Sequence, residues 1–559
     1  MRHTLNDVLR VTTLDYLQTI QPTNPPPPSE IEEKVLDLVS DAIRTENTFR
    51  QRGEKWRIPE RLSFSQIADI MAYLYPIRTV CTGDTTSERQ YDLLAVYKSS
   101  GPNEGIYVTD EEEFRNIARQ YNYSIKSNEF EELLRTLRNT VPRVKPTREK
   151  NLIAVNNGIY DYDKKVLMPF SPDYVFLSKS TTNYIDNPPN PIIYNKQDGT
   201  EWDVESWINT LSTDTEVQQL LREIIGAVLR PNVPWNKSAW FYSEQGNNGK
   251  GTFCELLRNV VGNHNCTSIA LSEMGKDFAL EPLIRSSAII VDENDVGTFV
   301  DKAANLKAII TGDVVQINRK FKTPIPYKFK GFMVQCLNEM PRVKDKSDSF
   351  YRRQLFIPFL VSFKGQERKY IKDDYLKRPE VLEYVLYKAL HDTNFYELSE
   401  PQVCRDALSE YKEYNDPTRQ FAIEILPEVK WDFLPWKFLY DLYKAWFSKN
   451  IPNGTIQKKL NFKKDLYAIA KAEYPEWCGA GIDEKVWIGK RMNALEPLIH
   501  EYDLTEWMAP GYSGKNTTNI QARMRVPVDK IPVNTRGLLR ITGEDNASTD
   551  DEDSEEKED

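Results

Sequence analysis

A chain of 559 residues with 40% hydrophobic and 11% aromatic content can fill roughly two to four packed domains. Its formal charge of −10 excludes a uniformly basic nucleic-acid coat, yet −9 of it falls in Glu544–Asp559, where ten acids meet one lysine. No apolar run approaches the ~18 residues of a membrane span, no signal-peptide core follows Met1, and six cysteines without a CxxC pair read as reduced core residues of a cytoplasmic protein, not a zinc ribbon.

Residues 1–148 read as an α+β module without nameable chemistry. A short helix leads to a stiff Pro25–Pro28 spacer. A capped amphipathic helix is expected from Ser29 to Arg44, since Ile31, Val35, Leu36, Leu38, Val39 and Ile43 recur at helical spacing. Arg89–Tyr97 and Gly105–Val108 look like paired strands. Asp110–Tyr121 and Glu129–Leu137 look helical, with Asn128 placed to cap the second.

Residues 149–235 read as a β-rich segment followed by a helical collar. Asn156–Tyr160 suggests a hairpin turn and outgoing strand, and Trp202–Leu229 a pair of helices. Asp161-Tyr162-Asp163 is the one Asp-x-Asp outside the acidic tail, and no histidine lies between His3 and His264. A primase would need acidic metal ligands with a histidine, so no primase site is expected here.

Residues 236–365 carry the densest signals. Trp240-Phe241-Tyr242 is an apolar strand running into Ser243-Glu244-Gln245-Gly246-Asn247-Asn248-Gly249-Lys250-Gly251-Thr252, and a helix is expected from Thr252 to Val261. Strand, Gly/Asn turn and helix are the layout of a phosphate-binding loop. Gly246, Asn247, Asn248, Gly249, Gly251 and Thr252 would wrap ATP phosphates with backbone N–H groups and the positive end of the helix, and Lys250 would reach the β- and γ-phosphates. The regular spacing wants glycine at 244 and a hydroxyl at 251. This chain has Glu244 and Gly251, so Thr252, one place on, is the candidate magnesium-holding hydroxyl. The plain alternative is a Gly-rich surface turn.

Forty-two residues after Lys250, the run Ser287–Val291 ends in Asp292-Glu293. An unbroken apolar run suits a strand buried on both faces. Asp292 would hold Mg2+ and Glu293 would orient the attacking water. Between Lys307 and Lys330 six Lys/Arg face one acid. The pattern reads as a β-hairpin whose tip, Arg319, Lys320, Phe321 and Lys322, suits phosphates and bases of single-stranded DNA. A solvated hairpin with ordinary lysines is the alternative. Phe332–Leu337 is another buried strand ending at Asn338, placed to sense the γ-phosphate. Arg352 and Arg353 follow, either of which could act as an arginine finger on a neighbouring subunit's ATP.

Residues 366–424 read as a helical lid or linker, with helices at Pro379–Leu390 and Pro401–Tyr414. Residues 425–540 hold a dense aromatic helix from Trp431 to Phe447, a turn at Asn450–Gly454, a basic helix from Lys458 and a strand over Trp487–Arg491. That order suggests a winged-helix-like domain that binds duplex DNA; a helical domain with solvated lysines is the alternative. Residues 541–559 form an acidic tail that reads as disordered.

The central stretch resembles a superfamily 3 helicase of the AAA+ class, in the phage/plasmid primase-helicase C-terminal family carried by phages, plasmids and chromosomal islands. Gly249 and Lys250 fall in its Walker A loop, Asp292 and Glu293 in Walker B, Lys320 and Phe321 at its DNA-reading hairpin, Asn338 at sensor one, and Arg352, with Arg353 as second choice, at the finger. Lys250 to Asn338 spans 88 residues. The resemblance implies an α/β P-loop core, ATP and Mg2+ as cofactors, a homo-oligomer (a hexamer), and 3′→5′ travel on single-stranded and forked DNA. It also implies a mobile-element origin, a role in replication initiation and a polymerase or primase partner. An origin-binding and melting initiator with weak turnover is the competing expectation.

Overall fold

The computed structural model describes residues 4–83, 88–196, 198–295, 297–300, 303–320, 322–451, 456–509, 520–524 and 531–541. Phe321, residues 452–455 of the expected turn and the tail from 542 onward therefore lie outside the described residues. The chain divides into two compact units, Met1–Leu408 and Ser409–Asp559. The fold is mixed α/β.

The first unit begins with α1 (Leu5–Leu17), α2 (Pro28–Thr48) and α3 (Phe64–Leu74). Of the expected stripe, Leu36 and Leu38 sit at the flanks and are only half-buried, whereas Ile31, Val35, Val39 and Ile43 of α2 are fully buried. Each such side chain is worth about 1.5–3 kcal/mol of burial. The expected side-chain cap is absent. Pro28 opens α2, and Pro27 at the N-cap offers no side-chain acceptor, because a proline's fixed φ already suits the first turn.

A four-stranded sheet follows, in the order β3 (Tyr107–Val108), β2 (Leu93–Tyr97), β1 (Ile77–Val80) and β4 (Arg143–Val144). Strands β2 and β3 pair antiparallel with Val96 opposite Val108. Helices α4 (Glu111–Tyr121) and α5 (Ser127–Thr140) pack their apolar faces into the same core as α2. Asn128 falls inside the first turn of α5 and Lys126 occupies its N-cap position, so the expected cap is corrected by two residues. A meander of β5 (Leu152–Val155), β6 (Gly158–Asp161) and β7 (Val166–Met168) and a short pair, β8 (Ile193–Tyr194) with β9 (Glu201–Trp202), lead to α6 (Val204–Thr210) and α7 (Thr215–Leu229).

The central sheet is built from β10 (Ser238–Tyr242), β11 (Cys266–Thr267), β12 (Ala288–Val291), β16 (Phe332–Leu337) and β18 (Gln354–Pro358), and α8 (Lys250–Val261) follows β10. Between β12 and β16 come β13 (Phe299–Val300), α9 (Ala303–Thr311) and the hairpin β14 (Val314–Arg319) and β15 (Lys322–Lys328); β17 (Arg342–Val343) and α10 (Asp348–Tyr351) precede β18. The sheet order is β11-β12-β16-β10-β18, and every pairing is parallel. Strands β12, β16 and β18 are buried along their whole length, which is why their sequences are almost wholly apolar, broken only by Gln335 in β16 and Gln354 at the start of β18. After β10 the chain crosses to the far edge at β11 and steps back to β16, beside β10. The loops after β10, β12 and β16 therefore share the carboxyl edge where ligands of open parallel sheets collect.

Helices α11 (Lys369–Asp373) and α12 (Pro379–Leu390) close the unit, and α13 (Gln402–Asn415) runs on into the second. That unit contains α14 (Pro417–Ile425), β19 (Phe433–Pro435), α15 (Trp436–Asn450), α16 (Lys459–Glu473), β20 (Val486–Trp487), α17 (Pro497–Glu501), β21 (Asn534–Thr535) and β22 (Gly537–Leu539). Trp431, Phe438, Tyr443, Trp446, Phe462 and Trp477 fill its core. The aromatic helix expected from Trp431 starts only at Trp436, because Phe433–Pro435 pair with β22 and Pro435 ends that strand, and the strand expected over Trp487–Arg491 is confined to Val486–Trp487. Among the described residues no helix is long and apolar enough to cross a membrane, and four cysteines (81, 254, 336, 404) are buried as free thiols.

Candidate nucleotide and nucleic-acid sites

The loop between β10 and α8 is shaped by two residues in the left-handed region, Asn247 at φ 56 and Gly249 at φ 87. Gly249 must be glycine for a second reason: a Cβ there would stand 2.7 Å from Leu211 Cδ2. Helix α8 starts at Lys250, two residues earlier than the sequence suggested, and this turns the lysine inward. Only 6% exposed, Lys250 donates from Nζ to the carbonyls of Ser243 (3.0 Å) and Leu337 (3.1 Å) and to Asn338 Oδ1 (2.9 Å). Burial holds its pKa below the ordinary 10.5. The loop is braced from outside. Phe363 N donates to Asn247 O (2.7 Å), Asn247 Nδ2 donates to Glu367 Oε1 (2.8 Å), and Asn248 Oδ1 accepts from Lys250 N (3.2 Å). Glu244, where the regular spacing wants glycine, is exposed and accepts from Tyr242 OH (2.9 Å).

Lys250, Cys254 and Arg258 stand four residues apart and so line one face of α8. Each meets the sheet. Lys250 meets Asn338, Cys254 Sγ lies 3.4 Å from Cys336 Sγ on β16, and Arg258 grips Asp292 with both Nη atoms at 2.8 Å. Arg258 also donates to Ile290 O (3.1 Å). Glu293 is exposed at the same strand end, and its charge is felt at Lys250. Two adjacent carboxylates are the donors a hard cation takes together with phosphate oxygens. Thr252, in contrast, lines a cleft beside Trp207 and Lys372, while Asp292 is occupied by Arg258.

That cleft, of about 1000 Å³, opens beside the loop and is bounded by Trp202, Trp207, Asn247, Thr252, Phe363 and Lys372. Trp202 Nε1 is buried there without a hydrogen-bond partner among the described residues. Its size and mixed lining suit a ligand as large as a nucleoside.

Sequence reasoning missed the residues that hold the strand ends in place. Asn294, 5% exposed, donates to Gln335 Oε1 (2.9 Å) and Cys336 O (3.0 Å) and accepts from Leu271 N (2.9 Å). Gln335, fully buried in an apolar strand, donates in turn to Ile269 O (3.2 Å). A lone glutamine inside Phe332–Leu337 was the available signal, since a buried amide needs partners.

The two candidate fingers are separated by their surroundings. Arg353 Nη1 donates to Ser349 Oγ (2.9 Å) and to that residue's carbonyl, and its own carbonyl accepts from Ser238 N (2.8 Å). Arg352 is exposed at the end of α10.

The hairpin forms as expected, with Ile317 opposite Ile325. At its tip Arg319 donates from Nε and Nη2 to Thr323 O (3.1 and 2.8 Å), Lys320 is exposed, and Lys322 Nζ pairs with Glu111 of α4 (2.9 Å). A further element was not legible. Phe278 is 52% exposed with a left-handed φ of 64, and its neighbour Asp277 accepts from Asn318 Nδ2 (3.2 Å) on the hairpin. A bulky residue in that region is rare and marks a place where backbone strain is kept.

Three family descriptions match the chain. Residues 42–226 match one described as D5 N terminal like, residues 241–353 a family of unknown function (DUF5906), and residues 413–505 one described as Poxvirus D5 protein-like. The flanks are D5-like. A curated relative, “Putative helicase L207/L206” of Acanthamoeba polyphaga mimivirus, is 23% identical over 229 residues, covering 38% of this chain and 22% of that protein. The chain thus spans about a fifth of that relative's length. Among solved structures, an apo form of the NrS-1 C-terminal region has a TM-score of 0.40 at 15% identity, covering 73% of this chain and 86% of that one. A second apo structure of that region has a TM-score of 0.39 at 14% identity, covering 80% and 94%.

Proposed function

We propose that this chain is an ATP-dependent DNA helicase of the superfamily 3, AAA+ kind, acting as a ring-shaped homo-oligomer, a hexamer, at replication initiation of a mobile element. The observation that carries the reading is the meeting of three strand ends. The loop after β10 delivers Lys250 to Asn338 at the end of β16, with Asp292 and Glu293 at the end of β12 beside it. D5-like flanks and the helicase name of a viral relative support it.

On this reading the ammonium of Lys250 exchanges its carbonyl partners for the β- and γ-phosphate oxygens, and the N–H groups opening α8 take the rest of the charge. The base would occupy the cleft bounded by Trp202, Trp207 and Phe363. Asp292 would hold Mg2+ only once Arg258 releases its carboxylate, and the ion would supply charge neutralisation of the phosphates. Glu293 orients the attacking water, and Asn338, released by Lys250, reports the γ-phosphate to β16. Arg352 of one subunit reaches the nucleotide of the next. Lys320, Lys322 and Phe278 hold single-stranded DNA in the pore, moving 3′→5′. Polymerase or primase contact and duplex binding by the second unit, as a winged-helix-like domain, complete the proposal, in a cytoplasmic setting.

The test is a forked-duplex unwinding assay with ATP hydrolysis followed in parallel. Lys250→Ala is expected to lose both; unwinding that persists in this variant refutes the reading. A second reading has its own observation. Gly251 offers no hydroxyl and Arg258 already occupies Asp292. Both suit an origin-melting initiator that binds nucleotide with little turnover. DNA-stimulated steady-state hydrolysis favours the motor, and tight nucleotide binding without turnover favours the initiator.

A further inference from the structure

Between the N-terminal helices and the hairpin lies a second cleft, of about 480 Å³. Arg138 of α5 lines one wall; Arg285, Arg319 and Lys322 line the other. The acids on its walls are mostly spent. Asp92, whose side chain is fully buried, is paired with Arg143 (2.6 Å), and Glu111 with Lys322 (2.9 Å). Glu281 remains against three guanidiniums. Arg138 Nε is buried with no hydrogen-bond partner among the described residues, and Arg138 and Arg319 each feel burial as the largest influence on their charge. Converging guanidiniums with too few acids make an anion site, and their planar forks favour phosphate.

We infer that this cleft binds the phosphate backbone of single-stranded nucleic acid, so that the strand leaving the hairpin runs between the hairpin and the N-terminal module. The inference rests on the reading of the hairpin as a nucleic-acid contact and adds Arg138 and Arg285 to it. Arg319 and Lys322 belong to the hairpin tip and to the cleft wall at once, which makes the two surfaces continuous. The Lys322–Glu111 pair is about half exposed on both sides, so solvent screens it and the pair is weak. An arriving phosphate can therefore take Lys322 from Glu111 at little cost.

The experiment uses the full chain and a fluorescein-labelled oligothymidylate of about 20 nucleotides, with anisotropy read across a salt series. Arg138→Gln is expected to weaken binding about tenfold and to reduce the log–log salt slope by about 0.7. Arg138→Lys should restore the slope. Arg135→Gln makes the same charge change on the same helix, at an exposed arginine paired with Glu132 (2.9 Å), and should bind as wild type. Glu111→Gln should tighten binding up to about fivefold, a gain that unfolding cannot imitate. Equal losses in Arg138→Gln and Arg135→Gln, or no loss in either, overturn the cleft. If Lys320→Ala alone weakens binding, the hairpin reading stands and the cleft falls. Absence of binding by wild type overturns both. If Arg138→Gln loses binding of thymidine monophosphate but not of the oligonucleotide, the cleft takes free nucleotides and the inference is wrong.

Discussion

Two regions of the first unit gather positive charge, and they do it in opposite ways. At the carboxyl edge of the central sheet one ammonium, Lys250, is 6% exposed and held by three uncharged oxygens. At the hairpin tip the cations are numerous and loosely held, Lys320 and Lys322 exposed and Lys322 paired only with a half-exposed carboxylate, while Arg319 and Arg138 beside them are half-buried. A buried charge with neutral partners is costly until an anion arrives. Exposed cations cost little and act through their number and through salt. The first arrangement suits one small ligand in one pose; the second suits a strand that must slide.

The largest expected effect breaks the first region while leaving the second intact. Lys250→Met should lower nucleotide turnover about a thousandfold yet change stability by no more than about 1–3 kcal/mol, because loss of a buried cation offsets the acceptors left short of a donor. A large fall in melting temperature would mean that the lysine is a structural strut. Arg352→Ala should lower turnover about a hundredfold at concentrations where subunits assemble, and change stability by less than about 0.5 kcal/mol. Arg353→Ala should behave in the reverse way, because its guanidinium holds its own α10. Equal behaviour of the two variants in activity and in urea unfolding would erase the distinction.

These contrasts show what was legible. The loop, the Asp292-Glu293 strand end, the hairpin and Asn338 were readable because each is a local pattern with its own period or turn chemistry. The stripe of α2 at Ile31, Val35, Val39 and Ile43 was readable for the same reason. Hidden were the contacts that cross the sheet. Arg258 reaches Asp292 over 34 positions and Asn294 reaches Gln335 over 41. Nothing local in either segment encodes its partner. Phe278 was hidden differently, since exposure and a left-handed backbone leave no periodic trace. Asn128 misled because a good capping residue lay two places inside the helix it was expected to start.

Asn294→Leu tests the cross-sheet contacts. It leaves the buried Gln335 amide short of a partner, so a loss of about 1–3 kcal/mol is expected in urea unfolding. Turnover should also fall, because the Asp292-Glu293 end loses its tether. Unchanged stability would show that the Gln335 Oε1 acceptor finds another donor.

The depressed pKa of Lys250 gives a smaller, signed effect. The folded protein prefers the neutral amine more than the unfolded chain does. The buried charge therefore costs stability at neutral pH, and that cost fades as pH rises toward the ordinary 10.5. A bound phosphate reverses the preference. Nucleotide binding should take up protons, increasingly so in alkaline buffer. Calorimetric titration in buffers of different ionisation enthalpy reads the uptake directly. Lys250→Met should abolish it, and uptake that survives the substitution would locate the proton elsewhere.

The smallest effect belongs to the second region. Lys322→Gln removes one cation from the hairpin and frees Glu111, so two changes oppose each other. Loss of a phosphate contact should lower the salt slope of single-strand binding by about 0.7. The unpaired Glu111 adds repulsion worth no more than the half-exposed pair was, ~0–1 kcal/mol. Lys322→Gln combined with Glu111→Gln should recover the affinity component and leave the slope reduced. Hydrolysis without DNA should stay at the wild-type rate in both variants. If basal hydrolysis falls with Lys322, the exposed cations are tied to the nucleotide edge before any strand binds, and the division between a one-pose site and a sliding one is drawn in the wrong place.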